Sequence, residues 1–300
     1  MKPFVAETSQ KGETSPPSLY ALCREAVDRL FADEAIPLAG NIAFRTVFSI
    51  FPFLIFLVTL GGLFGSADLA EGLVTWLIAV APGALITPIA PEIRSILTVP
   101  RTGLLSISAA LTVWSAMGGV DSIRTGLNRA YDVRDTRKLY WLYLQSVLFV
   151  LGAAVIMLVL ALLIVLAPVL IAAIETYFPA QKPLSALFDT LRLPVAIVIL
   201  ALGLTAAHKF LPARRPRFRE LWPGVTLTVI VWIVLAIAYA KWLVQFSTFA
   251  STYAGLSGIF AAMFFLYLAA IVLIFGGEVN RVLAVHKVQI SPPQEGESGP

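Results

Sequence analysis

Six long apolar stretches, separated by shorter polar connections, dominate the pattern of this chain. Each approaches or exceeds the roughly 20 residues that a helix needs to cross the hydrocarbon core of a bilayer. The pattern therefore predicts an all-α, polytopic membrane protein with six transmembrane helices. The predicted spans are residues 39–64, 102–120, 142–172, 190–211, 222–244 and 254–280.

The segment before the first span predicts a helix of a different kind. Over residues 18–35, apolar side chains recur at helical spacing while charged side chains take the other face. Ser18 is the expected N-cap, Pro37 is expected to stop the helix, and Glu25 and Arg29 are spaced as an i,i+4 ion pair. Such a helix is typical of the membrane interface.

Composition supports the membrane assignment. The chain is 58% hydrophobic and 13% charged, with a mean hydropathy of +0.85, whereas soluble domains have about 25% charged residues. The polar segments 1–17 and 289–300 are too poor in apolar residues to offset the entropy of ordering, and they are predicted to be disordered tails. The membrane domain is then residues 18–288.

Positive charges indicate the orientation of the spans. Sixteen Lys and Arg residues lie in the N-terminal region, in connections 121–141 and 209–221, and at the C-terminus, against five in the alternate connections. Lys and Arg accumulate on the cytoplasmic side, so both termini are expected in the cytoplasm. The basic connections are expected to meet anionic lipid headgroups rather than nucleic acid.

The segment 66–100 is apolar but is interrupted by several prolines. A seventh span here would place one of the five-charge connections outside, against the charge rule. An external helix, either re-entrant or lying on the surface, is predicted instead.

Asn41, Arg45 and Ser49 share one face of the first span, because they are four residues apart. Arg45 either extends its head group to the cytoplasmic headgroups or faces a polar cleft inside the bundle. In the second interpretation Glu278, beside Gly276 and Gly277 near the end of the sixth span, is its expected partner. The candidate polar cleft then comprises Asn41, Arg45, Ser49, Glu278 and Asn280.

Three polar residues follow the second span: Asp121, Arg124 and Asn128. They are either a solvated helix end at the interface or the groups that close a cytoplasmic mouth of the bundle. Both interpretations stay open at the level of sequence.

Four segments carry a resemblance to a known family, and their order and spacing match it over about residues 18–285. They are "AGNIAFRTVFSIFPFL", "WSAMGGVDSIRTGLNRAYDV", "LWPGVTLTVIVWIVLAIAYAKW" and "STYAGLSGIFAAMFFLYLAAIVLIFGGEVNRVL". The chain resembles the YihY/BrkB family of bacterial inner-membrane proteins. The resemblance implies a six-span bundle. The family has carried a virulence-factor label and a tRNA-processing ribonuclease label, and a role in lipid or envelope traffic has been proposed for it.

Three functions compete at this stage. A transporter or flippase for an amphipathic anionic molecule or lipid fits the polar face best, and an envelope scaffold is the alternative. A ribonuclease is disfavoured, because His208 and His286 lie far apart with no ligand spacing around them, and Cys23 is the single cysteine. No catalytic residue, metal site or cofactor is expected, and an oligomer is compatible with the sequence.

Reporter fusions should place the N-terminal region, residues 121–141, residues 209–221 and the C-terminus in the cytoplasm, because the positive charges concentrate there. An external signal from a fusion within 121–141 would contradict the six-span topology.

Overall fold

The computed structural model describes residues 18–63, 75, 102–163, 182–214, 216–250 and 256–290. These residues form helices and short connections with no strand, which confirms the predicted all-α class. The helices described are α1 (Leu19–Ala32), α2 (Ala35–Leu63), α3 (Thr102–Ala130), α4 (Leu139–Ala161), α5 (Lys182–Phe210), α6 (Phe218–Ala250) and α7 (Leu256–Ile290).

Five of these helices contain a stretch that is long and apolar enough to cross a membrane: Ala35–Phe53, Leu139–Leu160, Thr190–Phe210, Phe218–Leu243 and Gly258–His286. They coincide with the first, third, fourth, fifth and sixth predicted spans. The second predicted span lies in α3, which has 29 residues but several serines and threonines along its first half, and its crossing stays a prediction. Tail 1–17 and segment 66–100 apart from Thr75 lie outside the described residues. Of the predicted tail 289–300, the first two residues belong to α7 and residues 291–300 lie outside the described residues.

The predicted amphipathic helix is α1, and two local predictions about it are confirmed. The Ser18 hydroxyl oxygen accepts a hydrogen bond of 3.2 Å from the backbone N–H of Ala21, as an N-cap does. Arg29 Nη2 lies 2.9 Å from Glu25 Oε1. The helix therefore begins where the sequence predicts it to begin.

The prediction that Pro37 ends this helix is wrong. The helix stops at Ala32, and Glu34 adopts a positive φ of 56° that turns the chain into α2. Pro37 lies in the first turn of α2, where a backbone N–H has no intrahelical acceptor to lose. A turn between two helices, rather than the proline, separates the interfacial segment from the first span.

The helices α2 to α7 contact one another in chain order, and α7 closes the ring by packing against α2. α7 also contacts α1 and α3, so it touches four of the other helices. One buried cluster joins α3, α5, α6 and α7, and a second joins α1, α2, α3 and α7. The core is therefore organised around α7.

The contact between α6 and α7 is a close approach of two backbones. A Cβ added at Gly224 would overlap the carbonyl oxygen of Gly276, and one added at Gly276 would overlap the hydroxyl of Thr228. The Trp232 indole N–H donates a hydrogen bond of 2.9 Å to the carbonyl of Ala269 two turns away. Small residues allow this kind of packing in membranes.

Gly276→Ala should destabilise the purified protein by about 1–3 kcal/mol, because the added methyl overpacks the crossing with α6. Gly152→Ala is the matched control, since nothing lies within 4 Å of a Cβ at that position of α4. Thermal unfolding in detergent measures both variants. Equal stability of the two variants would show that the crossing is not constrained by its glycines.

Candidate functional site

A cavity of about 600 Å³ lies between α2, α3 and the first turns of α4. Its polar lining lies close to the ends of the helices where the sequence places the positive-inside connections. The remaining wall is aromatic and aliphatic. The lining residues are Asn41, Phe44, Arg45, Phe48, Trp114, Ser115, Met117, Gly118, Asp121, Arg124, Leu139, Leu142, Tyr143 and Ser146.

Arg45 contributes a guanidinium to this cavity from α2. Its Nε donates a hydrogen bond of 3.0 Å to Asn41 Oδ1, and Nη1 lies 3.4 Å from the carbonyl oxygen of Gly118 on α3. The absence of a side chain at Gly118 makes room for it, because an added Cβ would lie 2.8 Å from Nη1. The side chain is exposed rather than packed, so its remaining donors face the cavity.

The predicted pairing of Arg45 with Glu278 is wrong. Glu278 does not line the cavity, and neither of its carboxyl oxygens has a hydrogen-bond partner among the described residues. Arg45 instead uses an amide from its own helix and a backbone carbonyl of α3. The sequence suggests similar depths for the two residues, but it does not fix the rotation of each helix about its axis.

Arg124 provides a second guanidinium, on α3 one turn after Asp121. Its side chain bonds Asp121 Oδ1 at 2.9 Å, Ser146 Oγ at 2.7 Å and the Leu142 carbonyl at 3.0 Å. It is 3% exposed, and its Nε has no partner among the described residues. Arg124 therefore joins α3 to α4 while its charge is balanced by Asp121.

The structure brings together some residues of the predicted cleft and some of the predicted mouth, and it places the others elsewhere. Asn41 and Arg45 from the cleft meet Asp121 and Arg124 from the mouth in one cavity. Ser49 donates a hydrogen bond of 2.7 Å to the Thr46 carbonyl and is not a lining residue. Glu278, Asn280 and Asn128 lie elsewhere.

Asn128 connects two polypeptide turns. Its Oδ1 accepts a hydrogen bond of 2.8 Å from the N–H of Ala213, and its Nδ2 lies 3.3 Å from Asp135 Oδ2. Asp135 also accepts from Arg137, whose Nη2 donates to the carbonyl of Leu211 at 2.7 Å. The turn after α3 thereby caps the C-terminal end of α5, which is a structural role.

Asn280 belongs to a buried hydrogen-bonded chain that the sequence did not suggest. Its Oδ1 accepts from the N–H of Gly224 at 2.7 Å, and its Nδ2 donates to Tyr131 Oη at 3.1 Å. Tyr131 Oη lies 3.0 Å from His208 Nδ1, and the tautomer of His208 decides which of these two groups donates. This chain joins α5, α6 and α7 to the end of α3.

His208 and Tyr131 are the residues that sequence reasoning missed. A single histidine on an apolar helix carries no spacing signal, and its partner lies 77 positions away in the chain. Both are buried, and burial raises the pKa of Tyr131 above its usual range. In the part of the chain that the structure describes, no group of three or more His, Cys, Asp or Glu residues could hold a metal ion.

Asp135→Asn should lower the free energy of unfolding at neutral pH by about 1.5–3 kcal/mol, the value of hydrogen bonds to a charged group. The hydrogen bonds from Arg137 lower the pKa of Asp135 to about 2. A carboxylate with a lowered pKa stabilises the fold above its unfolded pKa of about 4, and this contribution is lost as pH falls towards 2.

Thermal unfolding of the wild type and of Asp135→Asn, measured as a function of pH, tests the stabilisation by the Asp135 carboxylate. The difference between them should shrink progressively below about pH 4. Asp28→Asn is the control, because the pair of Asp28 with Arg24 is 71% exposed on both sides and should contribute little. A difference that does not change with pH would contradict the role given to the charge of Asp135.

Comparisons with known proteins agree with this architecture. The family model described as virulence factor BrkB matches residues 26–298. The ribonuclease-like protein YfkH of Bacillus subtilis (strain 168) is 26% identical over 265 residues, which cover 88% of this chain and 95% of that relative. No solved structure shows a significant match. Because the family model covers almost the whole sequence, the resemblance carried by the four motifs is confirmed, and the chain belongs to the BrkB virulence factor family.

Proposed function

We propose that this membrane protein is a transporter or flippase for an amphipathic anionic molecule, and that the cavity between α2, α3 and α4 binds it. The observation that carries the proposal is the combination of a cationic end and an aromatic wall in one cavity of about 600 Å³. Pockets for small molecules and cofactors have about 300–1,000 Å³.

The charge of the cavity favours an anion. Arg124 is balanced by Asp121 at 2.9 Å, whereas no carboxylate among the described residues pairs with Arg45. The lining therefore carries one net positive charge, and its guanidinium is fixed in place by Asn41 and Gly118. A planar guanidinium with free donors suits a phosphate or carboxylate group, which can accept two parallel hydrogen bonds.

The wall of the cavity favours an amphipathic ligand over a small inorganic anion. Phe44 and Phe48 stack with ring centroids 6.2 Å apart, and Trp114 is 68% exposed next to them. These rings continue onto the outer surface of the bundle, where acyl chains of the bilayer lie. A head group at Arg45 with its chain along these rings buries the apolar part without burying an unpaired charge.

The structure offers less support for the other functions. A scaffold requires only packed helices, and it gives no reason for an unpaired guanidinium in a cavity. The name of the Bacillus relative raises a ribonuclease, but His208 bonds Tyr131 and His286 bonds Glu25 on another helix. Neither histidine is among the described residues that line the cavity, so no specific observation favours hydrolysis.

Arg45→Gln should weaken the binding of dodecyl phosphate by about tenfold or more, because a hydrogen bond to a charged group contributes about 1.5–3 kcal/mol. Binding is measured as the rise in unfolding temperature of the protein in a maltoside detergent, since a ligand that binds only the folded state stabilises it. Arg219→Gln is the control, because Arg219 is exposed and outside the cavity but carries the same charge.

Two comparisons make the assay specific. Dodecyl trimethylammonium, with the same chain and opposite charge, should not stabilise the wild type. In proteoliposomes, Arg45→Gln should slow the flip of a fluorescent anionic lipid while Arg219→Gln leaves it unchanged. Equal effects of the two substitutions in both assays would contradict the proposal that this cavity binds the ligand.

A further inference from the structure

Asp121 is the single carboxylate among the described residues that line the cavity between α2, α3 and α4. Its side chain is 56% exposed, and its Oδ1 accepts a hydrogen bond of 2.9 Å from Arg124 Nη1. The second oxygen, Oδ2, has no hydrogen-bond partner among the described residues. A carboxylate in the wall of a site for anions needs an explanation, because it repels the charge that the site attracts.

Arg124 does not offer an open cation to a ligand. Its Nη2 uses both N–H groups, since it donates to the Leu142 carbonyl at 3.0 Å and to Ser146 Oγ at 2.7 Å. Its Nη1 donates to Asp121, and the side chain is buried. A ligand could bind this guanidinium only by displacing Asp121 or α4. Arg124 is therefore part of the wall, and Asp121 cancels its charge.

Arg45 is the open cation of the cavity. Its Nε donates to Asn41 Oδ1 at 3.0 Å, and its Nη1 lies 3.4 Å from the Gly118 carbonyl oxygen. The rest of its five N–H groups are free for a ligand. A guanidinium held in this way can bind one anionic group through two parallel hydrogen bonds. The cavity thus contains one open cation beside one cancelled ion pair.

Asp121 lies one helical turn after the carbonyl group that Arg45 contacts. Gly118 and Asp121 are three residues apart on α3, a spacing that places both on one face, and both line the cavity. One turn is about 5.4 Å, which is shorter than the Debye length of about 8 Å at physiological ionic strength. Salt therefore does not screen an anion at Arg45 from the charge of Asp121.

We infer, on the basis of the proposed function, that Asp121 restricts the cavity to head groups with a single negative charge, the charge of a phosphodiester. The doubly charged phosphomonoester is disfavoured. One negative charge on the ligand balances the one net positive charge of the lining. A second negative charge finds no open cation, and it faces the Asp121 carboxylate instead.

Asp121 also has a structural role, since it neutralises the buried guanidinium of Arg124. This role alone predicts that a substitution lowers stability and weakens every ligand to the same extent. Discrimination by charge predicts a change in the ratio of two affinities. The ratio for two ligands that differ in charge therefore separates the two roles of Asp121.

Dodecyl phosphate and its methyl ester, dodecyl methyl phosphate, are matched probes of charge. Both carry the same chain and one phosphate group. At about pH 8 the monoester has almost two negative charges, because its second pKa is about 6, whereas the diester has one. Affinities follow from the rise in unfolding temperature of the full chain in a maltoside detergent as each probe is added. The wild type should bind the diester about tenfold or more tightly than the monoester.

Asp121→Asn should abolish this preference, because Asn keeps an acceptor for Arg124 but loses the charge. The monoester should gain affinity by about tenfold, while the diester changes little. Asp121→Glu keeps the charge and should keep the preference. Asp132→Asn is the matched control, since Asp132 is also an exposed aspartate that binds an arginine, Arg281, at 2.7 Å, and it does not line the cavity. It should leave the ratio unchanged.

The wild type alone supplies a second test, which decides the matter if Asp121→Asn does not fold. At about pH 5 the monoester has one negative charge, so the two probes should bind with similar affinity. No histidine is among the described lining residues. A wild-type ratio near one at pH 8, a preference that persists at pH 5, or an unchanged ratio in Asp121→Asn would overturn the inference.

Failure of the proposed function gives a different result. In that case neither probe stabilises the wild type, or both stabilise Arg45→Gln as well as the wild type, and the inference fails with it. Binding that depends on Arg45 but does not distinguish the two probes would keep the proposed function and reject the role of Asp121.

Discussion

The close crossing of α6 and α7 is the contact on which the rest of the structure depends. Gly224 and Gly276 bring the two backbones together, and Asn280 fixes their register by accepting a hydrogen bond from Gly224. In a bilayer, apolar side chains do not drive helices together, because lipid tails are equally apolar. Close packing and internal hydrogen bonds therefore decide where α7 lies, and α7 in turn contacts α1, α2 and α3.

The polar groups of the core follow from that placement. The amide of Asn280 reaches Tyr131, and Tyr131 reaches His208 of α5, so a single side chain of α7 connects four parts of the chain. Glu278, two residues earlier, is fully buried, and neither of its oxygens has a hydrogen-bond partner among the described residues. α7 thus carries a polar side chain with hydrogen-bond partners, Asn280, and a buried carboxyl group without one among the described residues, Glu278.

Arg45 has a different explanation from the one that its sequence position suggests. It lies in an apolar helix because α3 provides Gly118, whose missing side chain leaves room for the guanidinium. The Gly118 carbonyl, which also accepts from Ser122 Oγ, lies 3.4 Å from Arg45 Nη1. Among the described residues it makes no ion pair, and it hydrogen-bonds Asn41 and the Gly118 carbonyl. Its remaining donors line a cavity with aromatic walls, and this arrangement is the basis for the proposed binding of an amphipathic anion.

The sequence by itself determined the membrane class, the helices and the local contacts within them. The apolar stretches, the Ser18 cap and the ion pair of Glu25 with Arg29 depend on residues at most four positions apart, and the helical period alone brings these together. Only the tertiary structure decided which faces meet. Two residues predicted to lie at similar depth, such as Arg45 and Glu278, share a site only if both helices have the required rotation, and rotation is set by packing between elements distant in sequence. For the same physical reason Tyr131 and His208, 77 positions apart, could be paired by the fold but not by any spacing in the chain.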